Sequence, residues 1–570
     1  LTYIEGVKFY GRQDALFLLM GILGVVFTSP LFFKHGPLAP FSGMVLIASS
    51  FSYVIYKVLL FRLGKNLTHV STHFVLPSDP IEKPKAGEDY YILGLTKDKL
   101  KEVKVNFDTF VRHIAVIGAS GVGKTTFGMW IMFQHIMKGG GLAFINAKVD
   151  SDARDKIFYF AKLAGRENDF YCIDIDNPKL SNTYNPAFGR KDPDEIASAL
   201  LNLIASAEDA PDAAYYRNSA NHALVTIIGA IQRCGFEITI EDLLIILQSS
   251  IALEWLVRKT PEGPEKRNLE IFLDKYRRTI DGQYIVDLNM LKDVLGSITS
   301  NLAVFCQGNF LKVFAHYDPD VVMDDIILNS KILYVSVPAM AKEDASLSLI
   351  KVFISDIAST ASYLQANPDK ASKMPFLVFA DEFGSYVIKK IAIMFEQCRS
   401  ANIAWMPSFQ TFGNLSKLSI QFLDTVLQNT WSKVIFRFGS RESAVMAADM
   451  IGEAIKLQVS YGENESANDK RIHIRTDPNH EKTDSEAHTV SYREVKEHRI
   501  SPEHISAVPK GECIITISSK TYHAVIPEIR FPPKQKMYRF KPLKRKNIVR
   551  TRRPLEMAKN YKKFVQGSIT

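Results

Sequence analysis

The stretch that most constrains this chain runs from Arg112 to Thr126. Ile114 to Ile117 is an apolar run that predicts a buried strand. Gly118-Ala119-Ser120-Gly121-Val122-Gly123-Lys124-Thr125 then fits the pattern G-x-x-x-x-G-K-[ST] without a mismatch, and Thr126 opens an apolar helical run, Phe127 to Met137. Strand, glycine loop and helix in that order are what a phosphate-binding loop needs. The glycines let backbone N–H groups wrap phosphates, and the helix N-terminus adds favourable partial charge. In that reading Lys124 reaches the β- and γ-phosphates of ATP and the Thr125 hydroxyl is a ligand for Mg²⁺. The competing reading is a glycine turn with an incidental lysine.

A second stretch completes the first. Phe376-Leu-Val-Phe-Ala-Asp381-Glu382 is an apolar strand ending in two acids. A buried strand delivers carboxylates at its carboxyl end, where α/β proteins bind ligands. Asp381 is expected to hold Mg²⁺ through water, and Glu382 to orient and polarise the water that attacks the terminal phosphate. Mere solvated charge is the alternative, but five apolar residues precede the pair.

The N-terminal region is apolar in a different way. Ala15 to Phe33 is an uncharged run, Lys34-His-Gly-Pro37 breaks it, and a second uncharged run follows from Leu38 to Tyr56. Each is just long enough, at ~1.5 Å per residue, to cross a hydrocarbon core of ~30 Å. Lys8 and Arg12 precede the pair and Lys57, Arg62 and Lys65 follow it, which puts both ends in the cytoplasm. The expectation is a two-helix transmembrane hairpin tethering a cytoplasmic ATPase; buried core helices are the alternative, since Ser42, Ser49, Ser50 and Ser52 dilute the second run.

The chain of 570 residues has room for about two to four domains. Its net charge of +9 is not evenly spread: Lys534 to Lys563 holds 13 basic residues and one acid, leaving the remainder slightly acidic. Tyr538 and Phe540 interleave with these cations. Such a segment neutralises phosphates with little sequence preference; DNA, anionic lipid and a solvated tail without a partner all remain open. Five scattered cysteines without C-x-x-C spacing suggest neither a disulfide framework nor a zinc site and suit a reducing compartment.

The membrane hairpin, short strands at Tyr90 to Leu95 and Val103 to Phe107, and the phosphate loop together resemble the type IV coupling proteins of bacterial conjugation and secretion (TraG/TraD-like). These are relatives of the FtsK and HerA DNA pumps. The resemblance runs from about Ala15 to Glu528. It implies a RecA-like P-loop NTPase domain of α/β class with an inserted all-α domain, preceded by the transmembrane hairpin. Where the family commonly has Asp-x-Lys-Gly, this chain has Asn146-Ala-Lys148-Val149, and Asn185-Pro186 matches the family's Asn-Pro turn. The resemblance implies that Gln410, at the end of the strand Ile403 to Phe409, senses the γ-phosphate or water. It also implies an arginine supplied by a neighbouring subunit, with Arg399, Arg437 and Arg441 as candidates.

The expected organisation is a hairpin over 1–65, a linker and the first part of the nucleotide-binding domain over 66–192, an all-α insertion over 193–314, the second part over 315–530, and a basic tail over 531–570. Glu463 to Glu486, polar throughout, is expected as a mobile loop or extended ribbon. The implied protein is a multi-pass component of the bacterial inner membrane, homo-hexameric, that uses ATP and Mg²⁺ to pump DNA or a relaxase–DNA complex into a type IV secretion channel. Alternatives are a coupling protein selecting effector proteins, with ATP gating assembly, and a chromosome-segregation pump; the two short spans and the large helical insertion argue against the last.

Overall fold

In the computed structural model the described residues are 89–189, 192–201, 211–280, 283–338, 343–386, 397–464, 487–532, 540–542 and 552–565, with 42–53, 74–75 and single positions at 19–28 and 391–395. Eleven strands form one sheet: β1 (Tyr90–Thr96), β2 (Glu102–Asn106), β3 (Ile114–Ile117), β4 (Leu142–Asn146), β5 (Phe170–Asp174), β6 (Ile332–Ser336), β7 (Phe376–Asp381), β8 (Ile403–Phe409), β9 (Ser432–Ile435), β10 (Glu512–Ile517) and β11 (Lys520–Val525). Their order is β2-β1-β11-β10-β9-β3-β8-β7-β4-β6-β5. The seven strands from β9 to β5 are parallel, and the four at the other edge are antiparallel. A short helix, Pro502–Ser506, precedes β10.

The central strands are apolar on both faces because both faces are covered. β3, β7 and β8 are buried along their whole lengths. Alternate residues feed opposite cores: Ile114 and Val116 pack with helix α1 (Lys124–Met137) and helix α2 (Ser151–Leu163), while Ala115 and Ile117 join the core continuous with the helical insertion. His113 and His135 lie inside this structure, and burial holds both at about 4 against an ordinary 6.5. His113 donates from Nε2 to Phe395 O and accepts at Nδ1 from Trp405 N; His135 bridges Tyr91 and Gly141 O. Each is neutral when folded and takes up a proton more readily when unfolded. Their contribution is therefore complete above about pH 6.5 and declines as pH falls towards 4. The denaturation midpoint is expected to be lower near pH 5 than near pH 7, and His135→Gln should remove part of that difference.

Between β5 and β6 the chain forms α3 (Pro193–Leu201), α4 (Pro211–Arg233), α5 (Ile240–Gln248), α6 (Ser250–Lys259), α7 (Pro264–Asp274), α8 (Leu288–Phe305) and α9 (Gly308–Phe314). An all-α insertion is the expectation over 193–314, and these helices make up most of it. The insertion is not wholly helical, however: Arg277–Ile280 and Gln283–Val286 pair as an antiparallel hairpin. Asn185, the residue of the Asn-Pro turn, has a structural task here. Its buried amide donates to Ile238 O at 2.8 Å and His316 O at 3.1 Å, tying two distant parts of the insertion to its entry point.

The basic tail is the largest departure from expectation. Phe540 is buried against Phe158 and Phe170, with the Arg154 guanidinium 5.8 Å from its ring. Farther on, Arg553–Pro554 pairs with Phe236–Glu237, and helix α10 (Met557–Val565) lies on α5 and α6. Leu555, Met557 and Phe564 are buried, and Phe564 meets Trp255 edge to face at 5.8 Å. A solvated tail is therefore excluded for 552–565. The few apolar side chains among the cations outweigh their neighbours because they find a preformed helical surface, while Lys559, Lys562 and Lys563 stay exposed on the outer side. Phe564→Ala is expected to cost roughly 3–5 kcal/mol locally; faster amide exchange across 552–565, with the main sheet unchanged, is the observation that checks it.

The predicted membrane spans lie largely outside the described residues. Residues 42–53 are helical, with Met44 and Phe51 exposed. Among the described residues one helical stretch, Asp344–Ala366, has the length and hydropathy to cross a membrane, and most of its apolar part is buried in the fold. It packs on α3 and on Met323–Leu328 as a core helix, so a pair of spans has no support among the described residues. The polar stretch around 465–486 also lies mostly outside them, but its flanks, Glu453–Asn464 and Ala487–His498, form a long antiparallel ribbon.

Candidate phosphate-binding and hydrolysis site

The phosphate loop leaves β3 at its carboxyl end and enters α1 at Lys124. Gly118 has φ +152°, and a Cβ there would sit 2.6 Å from the Cβ of Phe436. Gly123 has φ +127°, with the Phe436 ring 3.1 Å from where its Cβ would be. Glycine is required because the loop curls tightly over the residue that follows β9. Backbone bonds fix that curl: Gly118 N donates to Phe409 O at 3.2 Å and Ala119 N to Arg437 O at 3.0 Å. The ends of β8 and β9 thus set the loop's shape. The Lys124 ammonium donates to Gly118 O at 2.7 Å and Ala119 O at 2.9 Å, folded back on its own loop. Burial lowers its pKa, opposed by the nearby Glu382 and Asp381 carboxylates.

Asp381 ends β7, two strands from β3 across β8. It is buried, and burial together with adjacent Glu382 raises its pKa above the ordinary carboxylate value. Glu382 follows in a left-handed backbone conformation, φ 51° and ψ 37°. That geometry turns its carboxylate across the top of the sheet. Oε2 accepts from Gln410 Nε2 at 2.8 Å, and Oε1 accepts from the Lys148 ammonium. Burial pushes the Glu382 pKa up, but these two donors and Lys124 outweigh it and hold the group below the usual range.

The residues singled out in the sequence therefore converge: Lys124, Asp381, Glu382 and Gln410 come from the ends of three neighbouring parallel strands. Two results were not foreseen. Lys148 is joined to Glu382, because β4 lies next to β7. Arg399 does not join this group: it is exposed and precedes the amino end of β8, whereas the phosphate loop lies beyond the carboxyl end, about 20 Å away along the strand. Arg437, whose carbonyl holds the phosphate loop, and Arg441, at the start of the next helix, lie at the loop's end of the sheet, both exposed.

The donor set fits Mg²⁺. Thr125 presents a hydroxyl on the first turn of α1, exposed to solvent, and Asp381 presents a carboxylate, both hard oxygen ligands. Among the described residues no cluster of three or more His, Cys, Asp or Glu could hold a metal. A metal held by one hydroxyl and one carboxylate needs phosphate and water to complete its shell, which is how Mg²⁺ is usually bound.

Fold and site together define a RecA-like α/β protein with a phosphate loop and an acidic strand end. The family described as the TraM recognition site of TraD and TraG matches residues 375–510. The type 4 coupling protein DotL of Legionella pneumophila is 22% identical over 551 residues, covering 86% of this chain and 66% of its own length. The bacterial conjugative coupling protein TrwBdeltaN70, in its unbound form, aligns over 80% of this chain and 90% of its own, with a TM-score of 0.52 at 12% identity. TrwB in complex with ADP and Mg²⁺ aligns over 76% and 89%, with a TM-score of 0.49 at 12% identity. The chain is similar, more particularly, to type IV coupling proteins of the TraG and TraD kind.

Proposed function

We propose that this chain is a coupling ATPase that binds ATP with Mg²⁺ at Gly118 to Thr126, hydrolyses it, and uses the energy to move DNA or a relaxase–DNA complex into a type IV secretion channel. The observation that carries the reading is the convergence of Lys124, Asp381, Glu382 and Gln410 at the carboxyl ends of adjacent parallel strands. Lys124 leaves its loop carbonyls for the β- and γ-phosphate oxygens. Thr125 and, through water, Asp381 would hold Mg²⁺, which would supply neutralisation of the phosphate charge. Glu382 accepts the proton of a water attacking the γ-phosphorus as the bond to ADP breaks, and Gln410 holds that carboxylate and water in line.

The same reading makes the protein a homo-hexamer on the bacterial inner membrane, anchored by the hairpin of 1–65. A neighbouring subunit's arginine completes each site. Arg437 and Arg441 suit that role by their end of the sheet; Arg399 would serve only a site offered to its own, opposite end. The exposed cations of α10 on the insertion supply a surface for a polyanion. The test is ATP turnover of the detergent-solubilised chain with and without single- and double-stranded DNA. Stimulation that fades with salt is the expected result. Unchanged turnover with DNA, beside binding of secretion-signal peptides, would move the cargo from DNA to effector proteins.

A further inference from the structure

We infer that Lys148 is a positioning residue that holds Glu382 in the nucleotide-free chain and moves to the terminal phosphate when a triphosphate arrives. The inference rests on the ATP reading above. Four observations carry it. Both carboxylate oxygens of Glu382 are occupied, Oε1 by Lys148 and Oε2 by Gln410. A carboxylate with both oxygens engaged, one by a cation, is poorly placed to take a proton from water. The backbone of Lys148 is clamped on both sides: its N–H donates to Asn146 Oδ1 at 2.9 Å, and its carbonyl accepts from Ser336 Oγ at 3.1 Å.

Its side chain, by contrast, is 55% exposed, while that of Glu382 is 14% exposed. A fixed pivot with a free four-carbon arm is suited to exchanging partners, which the packed glutamate is not. Finally, Lys148 lies close enough to Lys124 to oppose its charge, so the two ammonium groups share one electrostatic neighbourhood above the phosphate loop. A γ-phosphate entering between them carries more negative charge than Glu382 and competes for Lys148. Transfer of the lysine frees Oε1 for water. A bound diphosphate lacks that competitor and leaves the pair closed. An ordinary exposed ion pair, the other explanation, contributes little and would be indifferent to the nucleotide.

The test compares binding of a non-hydrolysable ATP analogue and of ADP, each with Mg²⁺, to the purified full chain in detergent. Lys148→Met is expected to weaken the analogue about 10-fold and ADP less than about 2-fold, with Lys148→Arg close to the native chain. Glu382→Gln should tighten the analogue several-fold, and that gain should vanish in the Lys148→Met, Glu382→Gln double variant. Equal losses for both nucleotides, or a gain that survives in the double variant, would overturn the inference. A native chain that binds neither nucleotide would instead bring down the ATP reading itself, before any variant is compared. Thermal unfolding of each variant separates a folding defect from a binding one.

Discussion

Glu382→Gln is expected to lower ATP turnover by about 10²- to 10⁴-fold without loss of nucleotide binding. The glutamine keeps the size and the hydrogen-bonding reach of the side chain but cannot accept a proton. The backbone that aims it, with φ 51°, is set by the turn after β7 and does not depend on the charge. Gln410 can still bond to an amide oxygen, so the local packing survives. Loss of turnover with intact binding separates a catalytic role from a structural one; equal loss of both would show that the carboxylate holds the loop together.

Gly118→Ala is expected to have the largest effect on the loop. The added methyl meets Phe436 Cβ at 2.6 Å, and φ +152° is unfavourable for an alanine. Relief requires moving either the chain after β9 or the loop; both moves disturb the bond from Ala119 to Arg437, and the second also disturbs that from Gly118 to Phe409. A cost of about 1–3 kcal/mol is expected, with nucleotide affinity lost because these bonds set the curl of the loop that is to wrap the phosphates. Gly121→Ala is the comparison: its Cβ meets nothing within 4 Å, so only backbone strain remains. A lower melting temperature and absent ATP binding in Gly118→Ala, with milder effects in Gly121→Ala, are the expected measurements.

The difference between what could and could not be read from the sequence follows the range of the interactions. The phosphate loop and the acidic strand end were legible because each is written within fifteen residues and flanked by apolar runs that leave few conformations. Gln410 was legible only by resemblance. The Lys148–Glu382 pair was not, since it depends on β4 lying beside β7, a fact of strand order that no local pattern encodes. The hairpin in the insertion did have a signal: Asp281-Gly282 sits between Arg277–Ile280 and Gln283–Val286, and this dipeptide favours a two-residue turn. The helical runs on either side masked it. In the tail, four apolar residues, Phe540, Leu555, Met557 and Phe564, decide the packing, and composition hid them among the cations.

Under the proposed function, the exposed basic side of α10 is the surface offered to a polyanion. Lys559, Lys562 and Lys563 are held on a folded helix over α5 and α6, rather than on a free tail. Residues 552–565 therefore pack on the helical insertion, two regions that sequence reading treated separately.

The most direct test of the central claim is ATP hydrolysis by the purified, detergent-solubilised chain beside its Lys124→Ala variant. Mg²⁺-dependent release of phosphate by the native chain, abolished in the variant while the melting temperature is retained, is the predicted result. Equal turnover in the two proteins would contradict the assignment of Gly118 to Thr126 and the carboxylates above it as the hydrolytic site.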